Sequence, residues 1–245
     1  MKIVTIIQAR MGSTRLPGKV LKEVLGKPLL AYQIERVRRS ARTDRIVVAT
    51  TVKPEDEPIV ALCRELQVDV FRGSENDVLS RYYGAATEAG ADVVVRLTSD
   101  CPLIDAGVVD RVIEAFLASP GGAYDYTSNC YERTYPRGMD TEVFSIAALK
   151  EANERAALPS EREHVTPYII TRPERFRMTN VAYFSDQGRH RWTVDTPEDF
   201  ELIQRILEAL YPGKPAFTLE DALALLERYP DWANLNSHIE QKKAY

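Results

Sequence analysis

The sequence lacks the patterns on which several classes of protein depend. Cys63, Cys101 and Cys130 are odd in number and have no CxxC spacing, which argues against a disulfide framework and a zinc knuckle. The three histidines share no ligand spacing either. No apolar run is long enough to span a bilayer, and Gln8 and Arg10 interrupt the apolar start of the chain too early for a signal peptide. These absences predict a protein of the cytoplasm with no membrane partner.

An excess of positive charge is also missing. The 245 residues include 36 acidic and 32 basic side chains, and the net charge is −4. This balance gives no global attraction for nucleic acid, so any anion must be bound locally. With 44% hydrophobic residues the chain can bury a substantial core, and a single domain over residues 1–245 is expected.

Apolar segments recur at intervals of about one strand plus one helix, which is typical of an α/β fold. Four short segments of the first hundred residues are rich in Val and Ile, as buried parallel strands are. These predicted strands are 2–8, 45–52, 68–72 and 92–97. Helical periodicity at 28–39 and 54–66 separates them. We therefore predict a mostly parallel, Rossmann-like sheet flanked by helices, which binds ligands beyond the carboxyl ends of its strands.

The second half of the chain is less regular. Extended segments are predicted at 124–129, 141–144 and 176–184, with a final strand at 191–194. Helices are predicted at 146–155, at 161–171, from Pro197 onward and at 219–228.

A loop with three basic residues follows the first predicted strand directly. Gly12 lets backbone N–H groups approach phosphate oxygens. Arg10 and Arg15 offer forked donors, and Lys19 supplies a point charge. The loop matches neither the Walker A sequence nor the GxGxxG pattern. A phosphate-binding loop is predicted, and a solvated surface loop is the alternative.

The string Ala-Arg-Met-Gly-Ser-Thr-Arg-Leu-Pro-Gly-Lys at 9–19, followed by Gly-Lys-Pro-Leu at 26–29, resembles the signature of the CMP-sugar synthetases. That family includes the CMP-Kdo synthetases, the acylneuraminate cytidylyltransferases and the SpsF-type spore-coat polysaccharide proteins, which this chain resembles most. The resemblance implies a GT-A-type nucleotidyltransferase fold, CTP and a small acidic acceptor as substrates, Mg²⁺ as cofactor and a homodimer. It implies that residues 1–105 bind the nucleotide and 106–245 the acceptor.

Two aspartates follow extended segments at the edge of the sheet where ligands bind. Asp100 comes just after the fourth predicted strand, and Asp195 just after the final one. The resemblance implies that both carboxylates hold Mg²⁺, which would neutralise charge on the α-phosphate and on the departing pyrophosphate. It also implies that Asp100 acts in catalysis together with Arg10 and Lys19.

Helix caps are the alternative role for aspartates in these motifs. Asp195 precedes a helix that starts with proline, although Thr196 could be the true cap and leave Asp195 free. Asp105 is better interpreted as a cap than as a ligand. Asp100 has no long helix directly after it, so a ligand role is favoured there.

Residues 71–79 follow a predicted strand and open a helix, and the resemblance places this region near the nucleotide. A capping box with Ser74 as the cap and Asp77 at its third position is the alternative, and both interpretations can hold. The residues expected to bind the nucleotide are Ala9, Arg10, Gly12, Ser13, Arg15, Lys19, Arg72, Ser74, Asn76 and Ser99.

Acceptor contacts are expected in the irregular second half, at Arg137, Asp140, Glu142 and His164. The motifs around them resemble the SpsF-type proteins rather than the Kdo or sialic acid enzymes, so the identity of the acceptor stays open. Arg137 and His164 would suit a carboxylate or a phosphate. A surface ion pair of little energetic value is the alternative for each.

The resemblance, together with the basic loop and the two aspartates, therefore implies transfer of CMP from CTP to an acidic sugar or a similar small anion, with release of pyrophosphate, in the biosynthesis of a surface polysaccharide. No motif of a covalent nucleophile is present, so the acceptor oxygen would attack the α-phosphate in line. A glycosyltransferase is one alternative, although the chain has no Asp-x-Asp. A non-catalytic nucleotide-binding protein is the other, although it would have no use for the basic loop and the two aspartates together.

Overall fold

Nine strands are present in the computed structural model, which describes residues 1–118 and 124–240. Along the chain they are β1 (Ile3–Gln8), β2 (Glu23–Val24), β3 (Lys27–Pro28), β4 (Arg45–Thr51), β5 (Asp69–Gly73), β6 (Val93–Thr98), β7 (Tyr126–Ser128), β8 (Glu142–Ser145) and β9 (Met178–Asn180). Seven of them form the central sheet in the order β5-β4-β1-β6-β8-β7-β9, and β2 pairs with β3.

Ten α-helices accompany these strands within the described ranges. They are α1 (Leu29–Val37), α2 (Glu57–Glu65), α3 (Val78–Ala89), α4 (Ala106–Leu117), α5 (Ile146–Arg155), α6 (Pro159–His164), α7 (Pro167–Ile170), α8 (Pro197–Leu210), α9 (Leu219–Arg228) and α10 (Pro230–Ala233). None of these helices combines the length and the apolar character needed to cross a membrane.

The first half of the sheet is parallel and the second half is mixed. β1 pairs in parallel with β4 and β6, and β4 pairs in parallel with β5. β8 runs antiparallel to both of its neighbours, β6 and β7, and β7 is parallel to β9. The four strands predicted in the first hundred residues are confirmed to within one or two residues, and so is a mostly parallel sheet flanked by helices.

Strand β1 is covered on both faces, which explains its continuous apolar sequence. Val4 and Ile6 lie in a core cluster with residues of α3 and α5. Ile3 and Ile7 lie in a second cluster, with residues of α1 and α4. Because the faces of β1 are buried, its carboxyl end is the part that opens to solvent and to ligands.

A third core cluster fixes the segment that leads to Asp195. Trp192 is fully buried and packs, together with Val194, among residues of α8 and α9. Gly138 lies against this segment with φ 102°, and a Cβ atom there would approach the Trp192 carbonyl oxygen to 2.7 Å. This position therefore requires glycine.

The strand predicted at 191–194 is wrong. Arg191 forms only an isolated bridge with Arg137. The segment is held instead by single backbone bonds, from Trp192 N to the Arg137 carbonyl and from Val194 N to the Asp100 carbonyl, both at 2.8 Å. Its apolar residues are buried in a helical cluster rather than on a sheet, and an alternating pattern does not distinguish these environments.

The predicted helix at 161–171 is interrupted. Val165 has φ 74°, and α6 and α7 lie on either side of it. Thr166 is the N-cap residue of α7 and Pro167 its first residue, a position that suits proline because no helical N–H is needed there. The strand predicted at 176–184 is shorter than expected, because only Met178–Asn180 pairs with β7.

Candidate active site

A cavity of about 280 Å³ opens at the carboxyl ends of β1 and β6. The basic loop after β1 forms one side of it. Nine of the residues predicted to bind the nucleotide or the metal line this cavity, namely Ala9, Arg10, Gly12, Ser13, Arg15, Lys19, Ser99, Asp100 and Asp195. The fold therefore brings together residues that are far apart in the sequence.

The loop is tied to the end of β4 by a buried carboxylate. Asp56 accepts the backbone N–H of Met11 at 2.7 Å and that of Thr51 at 3.1 Å. Burial alone would raise the pKa of Asp56, but these hydrogen bonds hold it below its usual value. Asp56 stays ionised and anchors the loop, a role that the sequence did not indicate beyond an acid near a helix start.

Lys19 lies between the two predicted metal ligands. Its Nζ is 2.6 Å from Asp195 Oδ1 and 3.9 Å from Asp100 Oδ2. Burial alone would lower the pKa of Lys19, but the charges of Asp100 and Asp195 hold it above its usual value. A cation is therefore stable between these two carboxylates.

Asp195 is surrounded by positive charge. Its Oδ2 lies 3.1 Å from Arg15 and 3.1 Å from Arg191. Burial alone would raise its pKa, but Lys19, Arg15 and Arg191 hold the pKa below its usual value. Thr196 is the cap of α8 and accepts the backbone N–H of the third helical residue, so Asp195 is left free to face the cavity.

The two carboxylates fit a magnesium ion. Hard carboxylate oxygens are its preferred protein ligands, and Mg²⁺ in nucleotide sites commonly uses one or two carboxylates together with substrate phosphates. In the described residues there is no group of three or more His, Cys, Asp or Glu arranged to hold a metal. A site at Asp100 and Asp195 would therefore be completed by phosphate oxygens and water.

A second cavity of about 390 Å³ adjoins the first and shares Gln8, Arg10 and Arg81 with it. Asn76, predicted to contact the nucleotide, and His164, predicted to contact the acceptor, both line it. Glu75, Arg162 and Glu163 complete its polar wall. The two adjoining cavities together form the cleft, with the basic loop at one end and helix α6 at the other.

Arg81 of α3 is a cleft residue that sequence reasoning missed. Its side chain is 2% exposed and lines both cavities. Nη1 donates to the Ser74 carbonyl, while Nε is buried without a hydrogen-bond partner, and no carboxylate in the described residues pairs with it. The sequence feature that could have revealed Arg81 is its position on the apolar face of a helix, beside Val78 and Tyr82.

Two of the predicted nucleotide contacts do not line either cavity. Arg72 donates to the Thr51 and Lys53 carbonyls and pairs with Glu57, which holds it against the end of β4. Ser74 does not cap α3, so the capping box considered as the alternative is not present. Asp77 is the cap and accepts the Ser80 N–H, while Ser74 Oγ accepts the Asp77 N–H in the turn before it.

Three of the predicted acceptor contacts also lie outside both cavities. Glu142 is 7% exposed and accepts hydrogen bonds from Tyr126 and Thr166 at 2.7 Å, besides its ion pair with Arg96. The Glu142 side chain thus links its own strand β8 to β7 and β6 and to Thr166, inside the core. Asp140 forms a two-point ion pair with Arg133.

Arg137 is the third of these residues. Its backbone N–H donates to the His190 carbonyl at 3.0 Å, so its main chain is tied to the segment before Asp195. Burial lowers the pKa of its guanidinium. Asp105, in contrast, caps α4 as expected, with its Oδ1 accepting the Gly107 N–H at 2.7 Å.

Known proteins are similar to this chain in sequence and in architecture. A family model described as cytidylyltransferase matches residues 4–229. The uncharacterized protein MJ1063 of Methanocaldococcus jannaschii is 38% identical and covers 99% of this chain and 97% of its own. The spore coat polysaccharide biosynthesis protein SpsF of Bacillus subtilis is 36% identical, over 94% of this chain and 96% of its own. These matches confirm the resemblance predicted from the loop.

Solved structures confirm the fold. A cytidylyltransferase from Leptospira borgpetersenii superimposes with a TM-score of 0.91 at 34% identity, covering 99% of this chain and 100% of its own. The CMP:2-keto-3-deoxy-manno-octonic acid synthetase complexed with CTP has a TM-score of 0.63 at 20% identity, over 85% of this chain and 99% of its own. The chain therefore has the nucleotidyltransferase fold that was predicted.

Proposed function

This chain belongs to the cytidylyltransferase family, and from that premise we propose that it transfers CMP from CTP to a small acidic acceptor with release of pyrophosphate. One observation carries the proposal. A loop with Arg10, Arg15 and Lys19 lines a single cavity together with Asp100 and Asp195, and Arg15 and Lys19 contact Asp195 directly. Cations that suit a triphosphate and carboxylates that suit its metal ion are thus present side by side in one site.

The residues of the cleft have distinct roles in this reaction. Arg10, Arg15 and Lys19 bind and orient the triphosphate. Mg²⁺, when bound by Asp100 and Asp195, would neutralise charge on the α-phosphate and the pyrophosphate. An acceptor oxygen forms a bond to the α-phosphorus, and the bond from that phosphorus to the bridging oxygen of pyrophosphate breaks. No side chain becomes covalently attached, so the protein contributes positioning and charge.

The acceptor side of the proposal rests on the second cavity. His164 and Arg162 provide basic groups there, which suits a carboxylate or a phosphate on the acceptor. The name of the Bacillus subtilis relative leads us to place the product in the biosynthesis of a surface polysaccharide. A cytoplasmic location and a homodimer are further parts of this proposal.

Pyrophosphate release tests the proposed function directly. The protein is incubated with CTP and Mg²⁺ and with a panel of acidic sugars, and UTP replaces CTP in a parallel series. We expect pyrophosphate only with CTP and one class of acidic acceptor. Sugar transfer from a preformed nucleotide sugar, without pyrophosphate, would establish a glycosyltransferase instead. No reaction and no Mg²⁺-dependent CTP binding would favour a non-catalytic protein.

Asp100→Asn tests the role of the metal-binding carboxylate. The change removes one charge and keeps the size of the side chain, so we expect kcat to fall by at least about 100-fold with an unchanged melting temperature. Asp69→Asn, at the start of the edge strand β5 and outside both cavities of the cleft, is the matched control and should retain full activity. Near-normal Mg²⁺-dependent turnover by Asp100→Asn would show that the metal assignment is wrong.

A further inference from the structure

Asp195 is supported from behind by a buried polar cluster. Arg191 donates through Nη2 to Asp195 Oδ2 at 3.1 Å, and through Nε and Nη2 to the two oxygens of Asp199 at 2.8 and 2.9 Å. Asp199 is fully buried and accepts the backbone N–H of Asp195 at 3.0 Å. The carboxylate of Asp199 therefore holds both the main chain of Asp195 and the guanidinium that contacts its side chain.

The C-terminal segment completes this cluster through Asn236. This side chain is 2% exposed, and its Nδ2 donates to the Arg191 carbonyl and to Asp199 Oδ1, both at 2.8 Å. The segment is held in place by Trp232 and Leu235, which pack against the third core cluster. Asn236 lies beyond residues 4–229, the part of the chain that the family model matches.

The two oxygens of Asp195 have different surroundings. Oδ2 meets Arg191 and Arg15, whereas Oδ1 faces Lys19 and, beyond it, Asp100. Contacts to Oδ2 thus set the direction of Oδ1. Partners behind a metal ligand are known to control its orientation and the affinity of the site.

We propose that Asn236 is a positioning residue that keeps Asp195 Oδ1 directed toward Asp100, so that the C-terminal segment sets the metal affinity of the nucleotide complex. Its amide joins the Arg191 carbonyl to Asp199 Oδ1 and so reinforces the direct ion pair between Arg191 and Asp199. Without that donor, the fully buried carboxylate of Asp199 loses one hydrogen bond, and the main chain of Arg191 loses one of the contacts that hold it. The inference rests on the proposed function, because it takes Asp195 as a metal ligand.

The test measures metal and nucleotide binding separately. Asn236→Leu keeps the approximate volume and removes the donor, and Asn236→Ser keeps a donor with a shorter reach. Asn234→Ala, an exposed change in the same segment, is the matched control. Free Mn²⁺ is followed by electron paramagnetic resonance in the presence of CTP, and CTP binding is measured by calorimetry in EDTA.

We expect Asn236→Leu to raise the Mn²⁺ dissociation constant of the CTP complex by about tenfold, with CTP binding in EDTA unchanged. Asn236→Ser should give a smaller increase, and Asn234→Ala should match the wild type. A lower melting temperature of either Asn236 variant with unaltered Mn²⁺ affinity would overturn the inference and leave the proposed function intact. Absence of CTP-dependent Mn²⁺ binding by the wild type would overturn both.

Discussion

Each of the three basic side chains of the loop forms an ion pair with a carboxylate in this structure. Arg10 lies 3.9 Å from Glu75, Arg15 lies 3.1 Å from Asp195, and Lys19 lies between Asp195 and Asp100. A triphosphate attracts the same cations, and a metal ion attracts the same aspartates. A bound triphosphate would draw the cations away from the aspartates, and a bound metal would free the cations for the phosphates. Nucleotide and metal should therefore each strengthen the binding of the other.

Lys19→Met separates these two effects at the level of one residue. Removal of the ammonium group takes a competing cation from Asp100 and Asp195, so Mn²⁺ should bind the protein more tightly in the absence of nucleotide. CTP binding in EDTA should weaken by about 10-fold, because a charge-assisted contact to phosphate is lost. Electron paramagnetic resonance and calorimetry measure the two constants.

Lys22→Met is the control for Lys19→Met, since Lys22 lies over the Phe200 ring and outside the cavity. It should alter neither constant. Weaker binding of Mn²⁺ alone by Lys19→Met would contradict the competition between Lys19 and the metal.

Helix α3 carries a buried charge toward the cleft. Gly73 lies close to the stem of Arg81 and to the Phe71 ring, and a Cβ atom at Gly84 would meet Phe71 at 2.4 Å. Close packing of α3 on β5 thus depends on these glycines. Burial lowers the pKa of Arg81, as expected for a guanidinium without a counter-ion. The packing of the helix keeps this cation at the junction of the two cavities.

Arg81→Met tests whether that cation is kept for an anionic ligand. Methionine removes an unpaired buried charge, so the melting temperature should stay equal or rise. CTP affinity should fall by about 10- to 100-fold, because a donor to phosphate is lost. Thermal unfolding and calorimetry give both values, with the exposed Arg64→Met of α2 as the control. A lower stability with unaltered CTP affinity would assign Arg81 a structural role only.

The turn at Gly138 joins the segment around Arg137 to the segment before Asp195. Gly138→Ala should lower the free energy of unfolding by about 2 to 4 kcal/mol, because a Cβ atom would clash with the Trp192 carbonyl at a positive φ. Urea denaturation measures the change. Gly213→Ala adds a Cβ atom where nothing lies within 4 Å and should have little effect. Equal stability of the two variants would contradict the close approach.

At the scale of the whole molecule, the two halves of the chain meet at one cleft. β1 and β6 supply its floor, while Asp195 enters from the segment packed on α8 and α9. His190 lies at the start of this segment, 5.6 Å from the Trp192 ring. Burial, together with the charge of Arg189, lowers the pKa of His190 from 6.5 to about 4. The folded protein therefore keeps this imidazole neutral.

This depressed pKa predicts an acid-sensitive component of stability. The unfolded chain takes up a proton near pH 6.5 and the folded chain only near pH 4, so the stabilisation is complete above pH 6.5 and is lost as the pH falls toward 4. The His190→Gln variant should lose less stability than the wild type between about pH 7 and pH 5. Urea midpoints at both pH values test this. Parallel losses would contradict a neutral buried His190.

Local patterns in the sequence determined the parallel half of the sheet, the chemistry of the basic loop and the caps at Asp105 and Thr196. Strand periodicity, helix capping and a glycine-containing loop depend on neighbouring residues, so they can be read from a short stretch of chain. The loop also carried enough of a family signature to indicate the cytidylyltransferases, which the matching family model confirms.

Only the tertiary structure decided which polar residues reach the cleft. Lys19 and Asp195 are separated by 176 positions and meet at 2.6 Å. Glu142 and Arg72, both predicted to contact substrates, are instead engaged with neighbouring strands, whereas Arg81 and Asn236 were not recognised at all. Charged residue types are the same on a surface, in a core ion pair and in a site, and burial depends on contacts between distant segments.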